Sequence, residues 1–217
     1  MLASLIAQRL RHRALDDSRW LVLDVESSGL DPHRDRLLSV AAVAVRPDGR
    51  RLRLCPGDSF EVVLRQPAPR GAADKANILV HGIGVGAQQL GMPAADALAA
   101  WARFAGASPL VGYHAAFDRV LIERAQRKAG LPLGHHAWLD LADLAPVLFA
   151  QVRAHALDEW LAHFGIGCLL RHQAAADALA TAELLQRLWP SAQAQVGGAA
   201  GFRALARLAA QRRWLGA

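Results

Sequence analysis

The sequence predicts one α/β domain built on a mixed five-stranded sheet that is flanked by helices. Residues 20–25 form a nearly continuous apolar run, which is typical of a central strand covered on both faces. From residue 94 onward, helical and strand-like apolar patterns alternate along the chain. The 217 residues are 53% hydrophobic, which suits one domain with a substantial core. We expect three antiparallel strands followed by parallel strands.

The first part of the sheet is predicted to be a meander of three strands. The predicted strands cover residues 20–25, residues 37–45, and a third segment that is split around residues 55–58 and resumes over residues 60–64. Pro47, Asp48 and Gly49 form the turn between the second and third strands. A loop rich in proline, glycine and alanine should follow over residues 67–73.

Helices dominate the rest of the predicted domain. We expect helices over residues 94–104, 115–129, 144–152, 157–164 and 174–188, with short strands at residues 109–112 and 137–141. Pro190 is expected to end the last of these helices. We divide the chain into an amphipathic N-terminal helix within residues 1–19, a core domain over 20–190, and a tether with a basic C-terminal helix over 191–217.

The net charge of the chain favours binding to polyanions. The formal charge is +6 and the pI is near 10.5, and Lys75 and Lys128 are the only lysines among 25 basic residues. Such a surface attracts phosphate-rich partners such as nucleic acids. A preference for arginine codons, which leaves ordinary solvated surfaces, is the alternative explanation.

Targeting signals are weak in this sequence. The longest apolar stretches fall well short of the roughly 18 residues that a membrane span needs. The mildly apolar N-terminus is followed, not preceded, by basic residues, and no small-residue cleavage site closes it. Cys55 and Cys168 match neither a disulfide framework nor a zinc site. We expect a soluble, cytoplasmic protein with no membrane partner.

Two acidic side chains lie at the end of the first predicted strand. Asp24 and Glu26 are two residues apart, so their side chains point to the same face of the sheet. Carboxylates are the ligands that Mg²⁺ and Mn²⁺ prefer. Alone, the pair has an alternative interpretation as two solvated acids at the mouth of a sheet.

A third acidic residue, Asp118, follows the fourth predicted strand and lies near the start of a helix. The ends of strands are the edge at which α/β sheets collect ligands, and Phe117 next to it favours a site. The helix dipole also stabilises an acid in the first turn, so an ordinary first-turn acid is the alternative.

His172 and Asp177 cannot share one face of a regular helix, because five residues turn the chain by about 500°. We therefore expect a helix that begins near Ala174, with Asp177 in its first turns and His172 on the loop before it. A histidine suits the role of a base because it changes charge near neutral pH. The alternative for His172 is a surface loop residue.

The order of these segments resembles the DnaQ-like DEDDh 3′–5′ exonucleases, the family of the proofreading epsilon subunit of DNA polymerase III, ribonuclease T and oligoribonuclease. The resemblance rests on Leu-Asp-Val-Glu-Ser-Ser-Gly-Leu-Asp-Pro around Asp24, on His-Ala-Ala-Phe-Asp around Asp118, and on His172-x4-Asp177. It implies a ribonuclease H-like fold and two Mg²⁺ or Mn²⁺ ions. The implied metal ligands are Asp24, Glu26, Asp118 and Asp177, and His172 is the implied general base.

The resemblance also implies residues that contact the substrate. These are Ser27, Ser28, Leu30, His81, His114 and Phe117, with the segment Ile-Leu-Val-His-Gly-Ile around His81 lying near the terminal nucleotide. Asp140 after the fifth strand agrees with the family pattern as well. Two departures occur: Ser27 and Ser28 replace the usual Thr-Thr, and Tyr113 and His114 replace the usual His-Asn. The second change puts the preferred substrate in doubt more than catalysis.

The predicted function is removal of nucleoside monophosphates from the 3′ end of single-stranded DNA. An exoribonuclease on short RNA or RNA tails is an alternative, and so is a non-catalytic module that binds a nucleic acid or a polymerase. A nucleotide-binding α/β protein without nuclease activity is disfavoured, because no glycine-rich phosphate loop follows the first strand. The terminal helices could bind a polymerase or pair two copies of the chain.

Overall fold

The computed structural model describes residues 15–67, 78–79, 81–198 and 200–214. The strands are β1 (Trp20–Ser27), β2 (Leu37–Asp48), β3 (Arg51–Val63), β4 (Leu110–Gly112) and β5 (Trp138–Asp140). The helices are α1 (Val85–Leu90), α2 (Ala94–Ala105), α3 (Ala115–Lys128), α4 (Leu141–Leu148), α5 (Leu157–Phe164), α6 (Ala174–Val196) and α7 (Phe202–Ala209), followed by a 3-10 turn at Ala210–Trp214. The predicted N-terminal helix and most of the 67–73 loop lie outside the described residues. None of the described helices is long and apolar enough to cross a membrane.

The five strands form one mixed sheet in the order β3-β2-β1-β4-β5. β1 pairs antiparallel with β2 and parallel with β4, and β4 pairs parallel with β5. The predicted fold class, a ribonuclease H-like mixed sheet flanked by helices, is confirmed. Because β1, β4 and β5 run in the same direction, their carboxyl ends meet at one edge, and this edge carries the predicted site.

Helices cover both faces of the sheet. On one face, Trp20 and Val22 of β1 pack with α4, α5, α6 and α7. On the other face, Leu21 and Leu23 pack with α2 and α3. All four side chains are fully buried, which explains the continuous apolar run that predicted a central strand.

β3 is one continuous strand, so the predicted split around residues 55–58 is wrong. The pairing with β2 jumps from Ala44–Cys55 to Val43–Ser59, so three residues bulge out while the ladder continues on both sides. Asp58 in this bulge accepts hydrogen bonds from the Arg19 guanidinium at 2.6 and 2.9 Å and from Arg46 at 2.9 Å. The bulge therefore lets Asp58 join the start of β1 to the middle of the meander.

The helix after β5 begins earlier than predicted. It starts at Leu141 and not at residue 144, because the Asp140 carboxylate accepts the Ala142 N–H at 2.9 Å and caps the first turn. It ends at Leu148, before the predicted end at residue 152.

Pro190 does not end α6, which continues to Val196, so the predicted helix end was wrong and residues 191–196 are not a tether. Proline within a helix costs about 3 kcal/mol, but Trp189 beside it is buried and packs edge-on against Trp20, with ring centroids 5.5 Å apart. The predicted C-terminal helix is present as α7, and its Phe202 contacts the same Trp20 ring at 5.2 Å. The C-terminal helix is thus part of the main core and is no appendage. The predicted boundary at residue 190 thus falls inside α6, and the boundary at residue 19 stays a prediction.

We predict that Asp58→Asn lowers the stability at pH 7 by about 1–2 kcal/mol. Hydrogen bonds from Arg19, together with those from Arg46, hold the pKa of Asp58 at about 2. A lowered pKa adds stability above the unfolded-state pKa of about 4, and this stability is lost as the pH falls toward 2. In urea unfolding, the difference between wild type and variant should therefore shrink between pH 5 and pH 2.

The matched control is Asp48→Asn at the exposed end of the β2–β3 hairpin. Equal losses of stability in the two variants, or a difference for Asp58→Asn that does not change with pH, would contradict the assignment.

Candidate active site

Three carboxylates converge at the carboxyl end of β1. Oxygen atoms of Asp24, Glu26 and Asp177 all lie within 4.8 Å of one another. Asp24 and Glu26 share the face of β1 that also carries Val22, and α6 packs on that face. Asp177 lies in the first turn of α6, as expected from the sequence, and is buried. The sheet and α6 thus bring together residues that are 150 positions apart in the chain.

Asp118 lies beside this group but on the opposite side of β1. It is in the first turn of α3, which follows β4, and only 4% of its surface is exposed. Gly112 at the end of β4 makes this position possible, because a Cβ there would meet the Asp118 Oδ2 atom at 2.8 Å. That Oδ2 atom is buried and has no hydrogen-bond partner among the described residues. A buried, unpartnered carboxylate oxygen needs a cation or a proton.

Burial and repulsion by neighbouring carboxylates raise the pKa values of Asp24, Glu26 and Asp118. Burial raises the pKa of Asp24 well above its ordinary value, and the charges of Asp118, Glu26 and Asp177 raise it further. Burial, together with the charge of Asp177, raises the pKa of Glu26 to about 7. Burial, Asp140 and Glu26 raise the pKa of Asp118. These carboxylates therefore have too little positive charge near them. A bound divalent cation would supply it.

One protein cation already contacts the cluster. The Arg171 guanidinium forms ion pairs with Asp177 and with Asp158 of α5. It partly offsets the repulsion felt by Asp24 and Glu26. Arg171 and a divalent cation would therefore compete for the same carboxylate.

His172 lies on the loop immediately before α6, as predicted. Its backbone adopts the left-handed conformation, with φ of 60°, and its N–H donates to the Asp177 Oδ2 atom at 3.0 Å. The side chain is exposed. The backbone of His172 is thus fixed to the cluster, while the imidazole faces the solvent.

The sequence did not single out Arg171, Asp158 or Cys168 as neighbours of the cluster. The Cys168 Sγ atom lies 3.6 Å from the Asp177 Oδ1 atom. Arg171 directly precedes His172, but adjacency alone does not show whether a side chain turns toward the site. Asp158 is on a different helix, and no sequence signal links it to Arg171.

Asp140 anchors the segment that carries His114. The Asp140 Oδ1 atom accepts the His114 N–H at 2.9 Å as well as the helix cap described above. His114, the residue before α3, is left-handed with φ of 61°, and its exposed ring contacts the edge of the Tyr113 ring. The Tyr113 hydroxyl donates to the His155 carbonyl at 2.7 Å, and burial raises the pKa of Tyr113 to about 12. Tyr113 is therefore a neutral structural residue, whereas the His114 ring is free to meet a substrate.

The turn after β1 presents Leu30 to the solvent. The Ser28 hydroxyl accepts the Arg36 N–H at 2.9 Å and donates to Asp35 at 3.1 Å, and the Ser27 hydroxyl donates to the Gly29 carbonyl. Leu30 is 93% exposed in this turn. The two serines thus shape the turn that follows Glu26 and presents Leu30.

The side chains of His81 and Phe117 are buried or partly buried by contacts with the rest of the protein, which the sequence did not indicate. His81 is 5% exposed, and its Nδ1 atom accepts the Ile83 N–H at 3.0 Å. Burial lowers the pKa of His81, which keeps the ring neutral with a proton on Nε2. Phe117 is half-buried and packs against the core beneath α3. Neither side chain joins the acidic group, and their contacts with a substrate stay predictions.

Residues 21–185 match the sequence profile of the family described as Exonuclease, RNase_T. The chain belongs to this exonuclease family. Membership confirms the predicted resemblance to the DnaQ-like DEDDh enzymes and the prediction that the protein is an exonuclease.

Two curated relatives show where the exonuclease domain occurs. A DNA polymerase III PolC-type protein of Listeria monocytogenes is 30% identical over 183 residues, which are 84% of this chain and 12% of the relative. A DNA polymerase III subunit epsilon-like protein of Rhodobacter capsulatus is 31% identical over 189 residues, which are 86% of this chain and 26% of the relative. The exonuclease thus spans a minor part of the length of these relatives.

Solved structures support the fold. E. coli Exonuclease I in complex with a dT13 oligonucleotide superposes with a TM-score of 0.69 and 19% identity, over 83% of this chain and 42% of that chain. The zinc-bound form of the E. coli Exonuclease I complex with single-stranded DNA superposes with a TM-score of 0.66 and 17% identity, over 82% and 43%.

We predict that Asp118→Asn raises the melting temperature of the metal-free protein at pH 8. The raised pKa of Asp118 means that its charge destabilises the folded state once the pH exceeds the unfolded-state value near 4. The gain should therefore vanish below pH 4 and grow as the pH rises above it. Thermal unfolding in a chelating buffer measures it.

Asp96→Asn is the matched control, because Asp96 also lies in the first turn of a helix but is exposed. It should leave the melting temperature unchanged or lower it slightly. A loss of stability in Asp118→Asn at pH 8 would show that the carboxylate is not repelled by its neighbours.

Proposed function

We propose that the protein is a metal-dependent 3′–5′ exonuclease that releases nucleoside monophosphates from the 3′ end of single-stranded DNA. The observation that carries the proposal is the convergence of Asp24, Glu26 and Asp177 within 4.8 Å beside the buried, unpartnered Asp118. Membership of the exonuclease family, and the DNA polymerase III names of its relatives, support the reaction and the choice of DNA.

The cluster fits two Mg²⁺ or Mn²⁺ ions. All its donors are hard carboxylate oxygens, and burial and the neighbouring carboxylates raise the pKa values of Asp24, Glu26 and Asp118. Asp24, Glu26, Asp118 and Asp177 would hold the ions, with Asp24 between the other carboxylates. When bound, such ions polarise the scissile phosphodiester, favour ionisation of the attacking water and stabilise the leaving oxygen.

His172 is the proposed general base. Its N–H bond to Asp177 holds the loop backbone next to the cluster, and its exposed imidazole can rotate to accept a proton from the attacking water. Arg171 must leave Asp177 when a cation binds, so the loop that carries His172 would rearrange at the same time. The proposed base and the metal site are thus coupled through Asp177.

The terminal nucleotide is proposed to lie against the turn after β1. Leu30 is exposed there and can pack against the base. His81 is proposed to flank the same nucleotide. The exposed His114 ring lies at the start of α3, close to Asp118, and can contact the adjoining nucleotide. These contacts fix the strand end so that the last phosphodiester faces the carboxylates.

We predict that Asp177→Asn lowers the rate of strand shortening at least about a hundredfold, since even indirect partners of metal ligands cost 10–100-fold. The assay follows stepwise shortening of a 5′-labelled single strand with Mn²⁺, with single-stranded RNA of the same sequence in parallel. Faster shortening of the DNA is expected. Asp158→Asn is the control, because it removes the other partner of Arg171 but no cluster carboxylate.

Stepwise shortening that survives in Asp177→Asn would refute the metal mechanism. Faster shortening of the RNA than of the DNA would mean that the protein is an exoribonuclease. Tight, salt-dependent binding of the strand without any metal-dependent shortening would mean that the protein is a non-catalytic binding module.

We predict that Arg171→Gln tightens Mn²⁺ binding severalfold, because Arg171 and the ion compete for Asp177. Calorimetric titration of the metal-free protein with Mn²⁺ measures this affinity. Arg153→Gln, an exposed loop position with the same loss of charge, should change it little. Weaker Mn²⁺ binding in Arg171→Gln would mean that Arg171 helps to build the site instead of competing for it.

A further inference from the structure

A basic groove lies beside the acidic cluster, on the face of the sheet covered by α2 and α3. It has a volume of about 310 Å³ and opens between the start of β2, the end of β3 and these two helices. The charged residues that line it are Arg36, Arg65, Arg124 and Lys128. Leu37, Leu64 and Leu121 supply apolar surface. Among the described residues that line the groove, none is acidic and none is aromatic.

The groove begins at the turn that shapes the candidate active site. Arg36 and Ser28 exchange two hydrogen bonds, N–H to Oγ and N–H to carbonyl, each 2.9 Å long. Along α3, the groove is lined by residues on successive turns from Leu121 to Lys128, and Asp118 lies one turn before them. Ten residues separate Asp118 from Lys128, which is about 15 Å along a helix axis. The far end of the groove on α3 therefore lies roughly that far from Asp118.

The two cations that α3 contributes to the groove, Arg124 and Lys128, differ from its other cations in their pairing. On the exposed side of α3, Arg119 and Arg127 both pair with Glu123, at 2.8 and 2.9 Å. Over the part of the chain that the structure describes, neither Arg124 nor Lys128 forms such an ion pair. The Arg124 Nη1 atom is also buried without a hydrogen-bond partner. α3 thus pairs Arg119 and Arg127 on its exposed side, whereas Lys128 at the groove is exposed and forms no ion pair among the described residues.

Arg65 adds a fourth cation at the other wall. Its Nε atom donates to the Gly91 carbonyl at 3.0 Å, which fixes the side chain next to the β3 end. Gly91 permits this close packing, because a Cβ there would meet the Arg65 backbone nitrogen at 2.8 Å. Arg65 and Lys128 are both exposed, so a ligand in the groove can reach them.

We propose that this basic groove binds the phosphodiester backbone of the single-stranded DNA whose end is held at the acidic cluster. The inference rests on the proposed function and assigns the second part of the substrate site. Guanidinium and ammonium groups suit phosphates, and the lack of aromatic rings argues against base stacking. Binding here should therefore depend on salt and not on sequence.

The test compares Arg65→Gln/Lys128→Gln with Arg50→Gln/Arg51→Gln. The second pair has the same charge but lies at the far end of the β2–β3 hairpin, away from the site. Two substrates are used with Mn²⁺: a single-stranded DNA of about 12 nucleotides and the p-nitrophenyl ester of thymidine 5′-monophosphate, which is too short to reach the groove.

The groove variant should raise KM for the DNA at least about fivefold at low salt, and the slope of log KM against log salt should fall by about 1.4. Turnover of the ester should stay unchanged in both variants, and the hairpin variant should leave the DNA kinetics near wild type.

The groove assignment is overturned if both variants change KM equally, or if ester turnover falls together with DNA turnover in the groove variant. Failure of the proposed function gives a different result, because the wild-type protein would then cleave neither substrate. If the wild-type protein cleaves both substrates and the groove variant has unchanged kinetics, the groove assignment is overturned and the proposed function is not.

Discussion

Repulsion among carboxylates held together at one sheet edge is the constraint on which the candidate site depends. Asp24, Glu26 and Asp177 share a space less than 5 Å across, and Asp118 adds a buried oxygen with no partner. Such an arrangement costs folding free energy when the groups are ionised and nothing balances their charge. The rest of the core must offset this cost, and a bound cation would remove it. The same few side chains thus lower the stability of the metal-free protein and carry its proposed activity.

The fold keeps these groups together through the central position of β1. Because β1 is paired on both sides and covered on both faces, its end cannot move away from α3 and α6. The Trp20 ring contacts both Trp189 of α6 and Phe202 of α7, so the C-terminal segment also fixes the helix that carries Asp177. Gly112, which has no Cβ, leaves the space that the Asp118 carboxylate occupies. Packing far from the cluster therefore sets distances within it.

Local patterns predicted the sheet and the order of the acidic residues, because strand periodicity and motif order are properties of the sequence. The features that depend on long-range contacts were missed. The passage of α6 through Pro190 depends on burial of Trp189 against a strand 169 residues earlier in the chain. The ion pair of Arg171 with Asp177 and Asp158 depends on how a loop folds back on two helices. The basic groove joins residues from four separate segments. Each is a long-range contact that no local pattern encodes.

Anomalous diffraction from Mn²⁺-soaked crystals tests the central claim, that the cluster is a two-metal site, most directly. The account predicts two manganese peaks, roughly 3.5–4 Å apart, among Asp24, Glu26, Asp118 and Asp177, with the Arg171 guanidinium displaced from Asp177. No peak at these carboxylates, with Arg171 still paired to Asp177, would contradict it.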